Sequence, residues 1–230
     1  MILSTHLAHL GVGRALGALR SRPDPARVEG LRWAETWLMT PLRTGLLPTP
    51  EVSGVALITA WDDDEALDRF GAHPIAQRYR SGWSARFEPV RSVGSWSPLP
   101  DLPRRERPTD DDPVAVLTMA RMRAPRIPAF LRTAARAERD ARQHPAFLAG
   151  TRLVRPLCLI GTFSLWRTAR EMRSYAAGPA AAGHTQAVRA NDERAFHHET
   201  VFVRLRPYAV QGQWNRGNPL DRGSREGCQA

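Results

Sequence analysis

A short segment in the second half of the sequence, GHTQAVRA (Gly183–Ala190), has the residue types that can hold a metal or a cofactor. His184 follows a glycine, and an imidazole nitrogen at this place can either bind a metal ion or cap a turn. Arg189 lies later in the same segment and can pair with an anionic group, although a solvent-exposed helix face explains it equally well. The motif alone leaves these alternatives open.

Two aromatic residues stand in a strand-like segment, TFSLW (Thr162–Trp166). Phe163 and Trp166 occupy an odd and an even position, so in a regular strand they face opposite sides. We expect one of them to line a cavity and the other to face the helix layer. Packing in the core is the competing interpretation for both, because aromatic side chains dominate cores.

The other histidines have simpler interpretations. We expect His73 to be a structural turn residue and His144 to lie at a helix end, where a cation is favourable. His197 and His198 are neighbours in a predicted strand, so at most one of them can face a cavity. Two more histidines belong to the first strand and have no partner motif: His6 and His9.

The composition excludes several classes of function. The chain has 230 residues and a formal charge of +10, but its 33 basic residues are all arginines, spread along the chain without a basic block. We therefore do not expect nucleic-acid binding, whereas a cofactor with propionates or phosphates would find partners. Neither cysteine belongs to a zinc motif, and no Ser-His-Asp set, phosphate loop or paired carboxylate motif is present.

Targeting signals are also absent from the sequence pattern. No apolar run approaches the ~18 residues of a spanning helix, and the first residues lack the pattern of a signal peptide. We therefore expect a cytoplasmic protein without a transmembrane segment.

The elements that must position these residues occur twice along the chain. In the first copy, a strand GVALITAW (Gly54–Trp61) precedes a polar helix start, a Gly-x-His turn and a strand ending in Gly-x-Trp. In the second copy, LCLIGTFSLW (Leu157–Trp166) precedes a helix, Gly183–His184 and a last strand ending in Gly-x-Trp. The same order in both copies indicates a duplication.

The repeat predicts the domain organisation. We expect a first ferredoxin-like repeat over residues 1–98, a linker rich in proline and charge over 99–112, a second repeat over 113–215 and a flexible tail over 216–230. Each half fits the order strand, helix, strand, strand, helix, strand, which is a split βαβ pattern. Two such sheets packed face to face would leave the helices outside and a cavity between the sheets.

The sequence resembles the spheroidene monooxygenase-like proteins, a carotenoid ketolase family. The resemblance rests on TFSLW, GHTQAVRA, the strand ETVFVRLRPY and the terminal GQW, and it is weaker in the first half, through ALITAW and VRSVGSW. It implies an α+β fold in which tandem ferredoxin-like repeats form a fused dimeric α/β-barrel. It also implies a haem-dependent monooxygenase that acts with dioxygen on a small hydrophobic substrate, such as a carotenoid.

In that family pattern, His184 matches the histidine that would be the axial ligand of the haem iron. Arg189 would pair with a propionate, and Phe163 and Trp166 would lie at the cofactor. One departure is the alanine-rich segment AAGPAAAGH, which is longer than the corresponding turn of the family. The electron donor and the oligomeric state do not follow from the sequence.

Two other hypotheses fit the same scaffold. The chain could be a cofactor-free monooxygenase of the antibiotic-biosynthesis type, in which the substrate itself activates oxygen. It could also be a ligand-binding module without catalysis. A Soret band in the purified protein would favour the haem hypothesis over both.

Overall fold

A computed structural model describes residues 1–42, 54–97, 99–102, 110–156, 158–177, 196–214 and 217–221 of the chain. The segment that contains His184 and Arg189 lies outside these residues. The predicted linker lies partly outside them as well.

The described residues of the first half form four strands and three helices. In chain order they are β1 (Ile2–His9), α1 (Val12–Arg20), β2 (Leu31–Pro41), β3 (Gly54–Trp61), α2 (Asp64–Phe70), α3 (Pro74–Gln77) and β4 (Trp83–Gly94). The helical region after β3 is divided into two helices. Pro74 lacks a backbone N–H and therefore begins a helix rather than continuing one, and His73 caps the new helix.

The second half repeats this order with longer helices. Its elements are β5 (Val114–Met122), a 3₁₀ turn (Ala124–Arg126), α4 (Ile127–Gln143), β6 (Phe147–Arg155), β7 (Leu159–Trp166), α5 (Ala169–Ala177) and β8 (His197–Gly212). In the described part of the chain, no helix is both long and apolar enough to cross a membrane.

The eight strands close into one antiparallel barrel in the order β1-β3-β2-β6-β7-β5-β8-β4. Each half contributes four neighbouring strands, and the two sets have equivalent orders, β4-β1-β3-β2 and β8-β5-β7-β6. The halves meet at β2 with β6 and at β4 with β8. The predicted fold class, tandem ferredoxin-like repeats that form a fused dimeric α/β-barrel, is confirmed.

The space between the two sheets is filled with side chains. Every second residue of each strand points inward, and the largest fully buried ones include Trp37, Trp83, Phe87 and Phe163. The expected cavity between the sheets is therefore wrong for this part of the chain. Among the described residues, these aromatic side chains occupy that volume.

The repeat extends to individual side-chain contacts. In the first half, the indole N–H of Trp61 donates to Thr59 Oγ1 at 2.7 Å, and its ring lies 5.0 Å from Phe70. In the second half, the indole N–H of Trp166 donates to Ser164 Oγ at 3.0 Å, and its ring stacks on Tyr175 at 4.8 Å. Equivalent positions in the two halves can therefore be compared residue by residue.

The predicted domain boundaries remain predictions. At the far end of the chain, Asn218 Oδ1 lies 3.4 Å from the indole nitrogen of Trp83, and Leu220 packs against the barrel interior. Residues 217–221 thus contact the barrel, although we placed the start of a flexible tail at residue 216.

Candidate functional site

Of the four predicted cofactor residues, the structure describes Phe163 and Trp166, and these two lie on opposite sides of the sheet. Phe163 lies inside the barrel, fully buried, with its ring 5.9 Å from Phe87 and 6.0 Å from Trp214. Trp166 lies on the outer face of the sheet, under α5. The two residues face opposite sides, as the strand spacing predicts, and their contact with a cofactor remains a prediction.

Five residues form a partly exposed patch on the outer face of the second half, which we call the open face. They come from β5, β7 and β8: Thr118, Ile160, Thr162, Ser164 and Phe202. Thr118 pairs in register with both Thr162 and Phe202, so the three side chains lie side by side. Two threonine hydroxyls and an aromatic ring therefore form the centre of this patch.

The equivalent face of the first half is closed. Trp61 and Trp166 end β3 and β7 with the same contacts, so Val55, Leu57 and Thr59 correspond to Ile160, Thr162 and Ser164. All three first-half residues are 0% exposed. Val55 and Leu57 lie in one apolar cluster with residues of α1, α2 and the turn after α3: Ala15, Ala18, Ala66, Leu67, Phe70 and Tyr79.

Helices border the open face on two sides without covering its centre. On one side, α5 packs through Met172 and Tyr175 on the barrel end that carries Trp166. On the other side, Phe130 of α4 meets Phe196 edge to face, with ring centroids 5.9 Å apart. The patch between these borders is the part of the second sheet that remains accessible.

A buried ion pair fixes α4 to β6 beside the open face. Arg152 Nε donates to Glu138 Oε1 at 3.0 Å, and its Nη2 donates to Oε2 at 2.5 Å. The Glu138 pKa is raised because burial disfavours the charged carboxylate, and the guanidinium of Arg152 opposes this rise. The forked geometry holds the middle of the helix at a fixed place on the sheet.

One arginine stands at the edge of the open face. Arg204 follows Phe202 on the same face of β8, and its guanidinium carbon lies 5.7 Å from the centroid of that ring. Its Nε is buried and has no hydrogen-bond partner among the residues that the structure describes. Burial lowers its pKa, and the neighbouring cations Arg91 and Arg173 lower it further, but an arginine remains charged at neutral pH.

A second candidate site is a cavity of about 450 Å³ on the outside of the first half, between α2, α3 and the ends of β4 and β8. His6 lines it, and the ring Nε2 lies 2.9 Å from Ser4 Oγ. Ser4 Oγ is in turn 2.6 Å from Thr59 Oγ1. The imidazole is therefore the outer end of a hydrogen-bonded chain that runs into the covered sheet face.

The environment of His6 keeps its imidazole neutral. Burial lowers its pKa from 6.5 to about 4, and the nearby positive charge of Arg86 adds to this effect. A neutral imidazole at pH 7 can accept or donate a hydrogen bond in the cavity, but it does not carry a charge.

The remaining histidines have structural places in the described part of the chain. His73 Nδ1 accepts a hydrogen bond from the backbone N–H of Ile75, which is the turn role expected for it. His144 caps the C-terminal end of α4, as expected. His197 is half-buried, and burial followed by the charge of Arg123 lowers its pKa, whereas His198 is exposed.

The described residues contain no group of three or more His, Cys, Asp or Glu side chains that would hold a metal ion. His184, the predicted ligand, is outside them. The sequence did not single out Arg204 or the contacts of His6. The signal for Arg204 was present in the repeat, because β4 and β8 carry an arginine at equivalent positions.

The chain is similar over most of its length to two spheroidene monooxygenases. It is 28% identical to that of Rhodobacter capsulatus over 185 residues, which are 76% of this chain and 76% of that protein. It is 29% identical to that of Rubrivivax gelatinosus over 195 residues, which are 80% of this chain and 72% of that protein. The resemblance seen in the motifs is therefore confirmed. No family model matches the chain.

Among solved structures, an aldoxime dehydratase in complex with butyraldoxime superposes on the chain with a TM-score of 0.54. The two are 11% identical, and the superposition covers 90% of this chain and 79% of that one. At this identity, the likeness shows a shared fold.

Proposed function

We propose that this chain is a haem-dependent monooxygenase that holds its cofactor on the open face and oxidises a hydrophobic substrate. The similarity to spheroidene monooxygenases supports the monooxygenase class. The haem rests on the resemblance of the motifs and on the fit of the residues that surround the open face.

The observation that carries the proposal is the difference between the two outer faces. In the first half, Leu57 and Thr59 are fully buried beneath helices. In the second half, Thr162 and Ser164 at the same positions are only partly covered. One sheet face of this barrel is thus available to a flat ligand, and the other is not.

The connection that contains the predicted ligand joins two elements beside the open face. The chain leaves α5 at Ala177 and re-enters the sheet at His197 in β8, and both elements border the open face. His184 belongs to the connection between them. We therefore propose that the imidazole of His184 would hold the cofactor.

The residues around the open face fit a porphyrin. Thr118 and Thr162 are small and partly exposed, Phe202 offers an aromatic surface, and the buried Nε of Arg204 lacks a partner among the described residues. Bound haem would supply the iron that activates dioxygen. His184 would hold the iron, and the apolar borders at Ile160 and Phe202 would exclude water.

The roles of three other residues follow from their places. Trp166 would support the border of the site, because α5 rests on it. Phe163 faces the barrel interior and would act through packing. Arg189 belongs to the same connection as His184 and remains our predicted partner for a propionate.

We propose a hydrophobic substrate, with a carotenoid as the first class to test, because the similar proteins are named for spheroidene. A small, apolar substrate would enter beside the cofactor at the partly exposed Ile160. Dioxygen is the second substrate of the proposed reaction.

The cofactor-free alternative would use the first-half cavity and His6. That chemistry needs a group that takes a proton from the substrate, and a base works best when its pKa is near the working pH. An imidazole with a pKa of about 4 is a weak base at neutral pH.

The absorption spectrum of protein expressed with ample haem tests the proposal. We expect a Soret band that is lost in His184→Ala and kept in His198→Ala, a matched exposed histidine close to the same connection. Thr162→Leu introduces the residue found at the equivalent closed position, and we expect it to weaken haem binding, with Thr162→Ser as the control.

Colourless protein under these conditions would contradict the haem proposal. Turnover of an apolar substrate by the colourless protein would then support the cofactor-free monooxygenase. Ligand binding without turnover would support the non-catalytic module.

A further inference from the structure

Two arginines occupy equivalent positions in the two halves of the barrel. Arg86 on β4 pairs in register with Ser4 of β1, and Arg204 on β8 pairs in register with Val116 of β5. Trp61 has a register partner on β1, and Trp166 has one on β5. Ser4 and Val116 each lie two residues after that partner, so these two positions are equivalent as well. The surroundings of the two guanidinium groups can therefore be compared directly.

The arginine of the first half is neutralised by its helix. Arg86 Nη1 donates to Asp64 Oδ1 at 2.6 Å, and Arg86 Nη2 forms an ion pair with Asp68. Both aspartates belong to α2. This guanidinium already has its anionic partners within the fold.

The helix of the second half lacks these carboxylates. Asp63 and Thr168 cap α2 and α5 in the same way, each accepting a hydrogen bond from the backbone N–H three residues later. The residue directly after each cap is therefore equivalent in the two helices, and so is the residue four positions beyond that one. Asp64 corresponds to Ala169, and Asp68 corresponds to Arg173.

Arg204 is consequently left among cations. Arg91 is its register partner on β4, and Arg173 stands where the first half has an aspartate. Arg173 is itself paired with Asp110 at 2.5 Å, but no carboxylate of the described residues pairs with Arg204. Its buried Nε is an unmet donor, which is costly inside a protein unless a ligand accepts the hydrogen bond.

We propose that Arg204 binds an oxyanion of a ligand on the open face, and that the ligand group is a carboxylate such as a haem propionate. Planar guanidinium groups bind carboxylates through two parallel hydrogen bonds, which would also meet the unpaired Nε. Arg173 would add a second positive charge. The proposal rests on the proposed function only for the identity of the ligand, because a soluble oxyanion such as phosphate presents the same chemistry.

Protoporphyrin IX and its dimethyl ester test the proposal without iron, so His184 cannot act as a ligand in this assay. Their dissociation constants can be measured from the quenching of tryptophan fluorescence. We expect the wild type to bind the free acid about tenfold to a hundredfold more tightly than the ester, the range of one charged hydrogen-bonded contact. In Arg204→Gln this preference should fall to about threefold or less.

Arg86→Gln is the matched control, because it removes the same charge from the equivalent position of the first half. It should keep the preference of the wild type. Circular dichroism and melting temperature show that both variants are folded. An Arg204→Gln protein that keeps the preference of the wild type would overturn the proposal, as would a wild type that does not distinguish acid from ester.

A second measurement decides the case in which no porphyrin binds. Inorganic phosphate should then raise the melting temperature of the wild type and of Arg86→Gln, but not of Arg204→Gln, relative to sodium chloride at equal ionic strength. This result would leave the oxyanion site in place while the haem proposal fails. Equal shifts in all three proteins, or none, would overturn the oxyanion site as well.

Discussion

The buried histidine of the first strand predicts how the stability of the barrel depends on pH. His6 Nε2 bonds to Ser4, and burial lowers the pKa of the imidazole to about 4 in the folded protein. In the unfolded chain its pKa is about 6.5. Between these two values the unfolded chain binds more protons than the folded one, so the free energy of unfolding falls as the pH falls from about 6.5 towards 4.

The size of the effect follows from this difference. At pH 7 the imidazole is mostly neutral in both states, whereas at pH 5 it is protonated in the unfolded chain and still neutral in the fold. The free energy of unfolding is therefore expected to be about 2 kcal/mol lower at pH 5 than at pH 7. Because the ring borders a cavity whose water screens part of the charge, we expect the measured loss of stability to be about 1–2 kcal/mol.

Urea denaturation at pH 7 and pH 5 measures the loss, and His6→Gln removes the titrating group while keeping an amide that can bond to Ser4. We expect the variant to lose about 1–2 kcal/mol less than the wild type between the two pH values. His9→Gln, an exposed position at the end of the same strand, should behave as the wild type does. Equal losses in wild type and His6→Gln would refute the reasoning.

Three further changes test the packing, each by chemical denaturation. Glu138→Ala leaves Arg152 buried without its carboxylate and should destabilise the fold by about 3–5 kcal/mol, with much of the loss recovered when Arg152 is also replaced by leucine. Gly161→Ala places a Cβ 2.7 Å from a backbone oxygen of β5 and should cost about 1–3 kcal/mol, whereas Gly17→Ala, with open space in α1, should stabilise by about 0.5–1 kcal/mol. Phe163→Ala opens a cavity inside the barrel and should cost about 3–5 kcal/mol. Near-neutral effects of the Ala variants at Glu138, Gly161 and Phe163 would contradict this description of the packing.

The fold could be predicted because its signals are local and occur twice. Strands such as GVALITAW and LCLIGTFSLW are short apolar runs followed by a capped helix, and the repeated order implied two equivalent halves. The filled interior could not be predicted. Whether Trp83 and Phe163 meet inside a barrel depends on the register of strands that are far apart in the chain.

The candidate site was predicted only in part, for the same reason. His6 has no neighbouring motif, since its surroundings come from β3, α3 and β4 rather than from its own strand. The repeat shows that Arg204 is equivalent to an arginine of the first half, but its different surroundings became visible only when the helix positions of Asp68 and Arg173 could be compared. The residues read from the motif, His184 and Arg189, lie outside the described residues.

Joining both sheets in a single polypeptide has a consequence for stoichiometry. In a homodimeric barrel a two-fold axis relates the two faces, so every substitution changes both of them and any ligand site appears twice. Here Leu57 and Thr162 could diverge independently, one closing its face and the other leaving it accessible. A barrel of this kind offers one such face per molecule, where a symmetric pair would offer two.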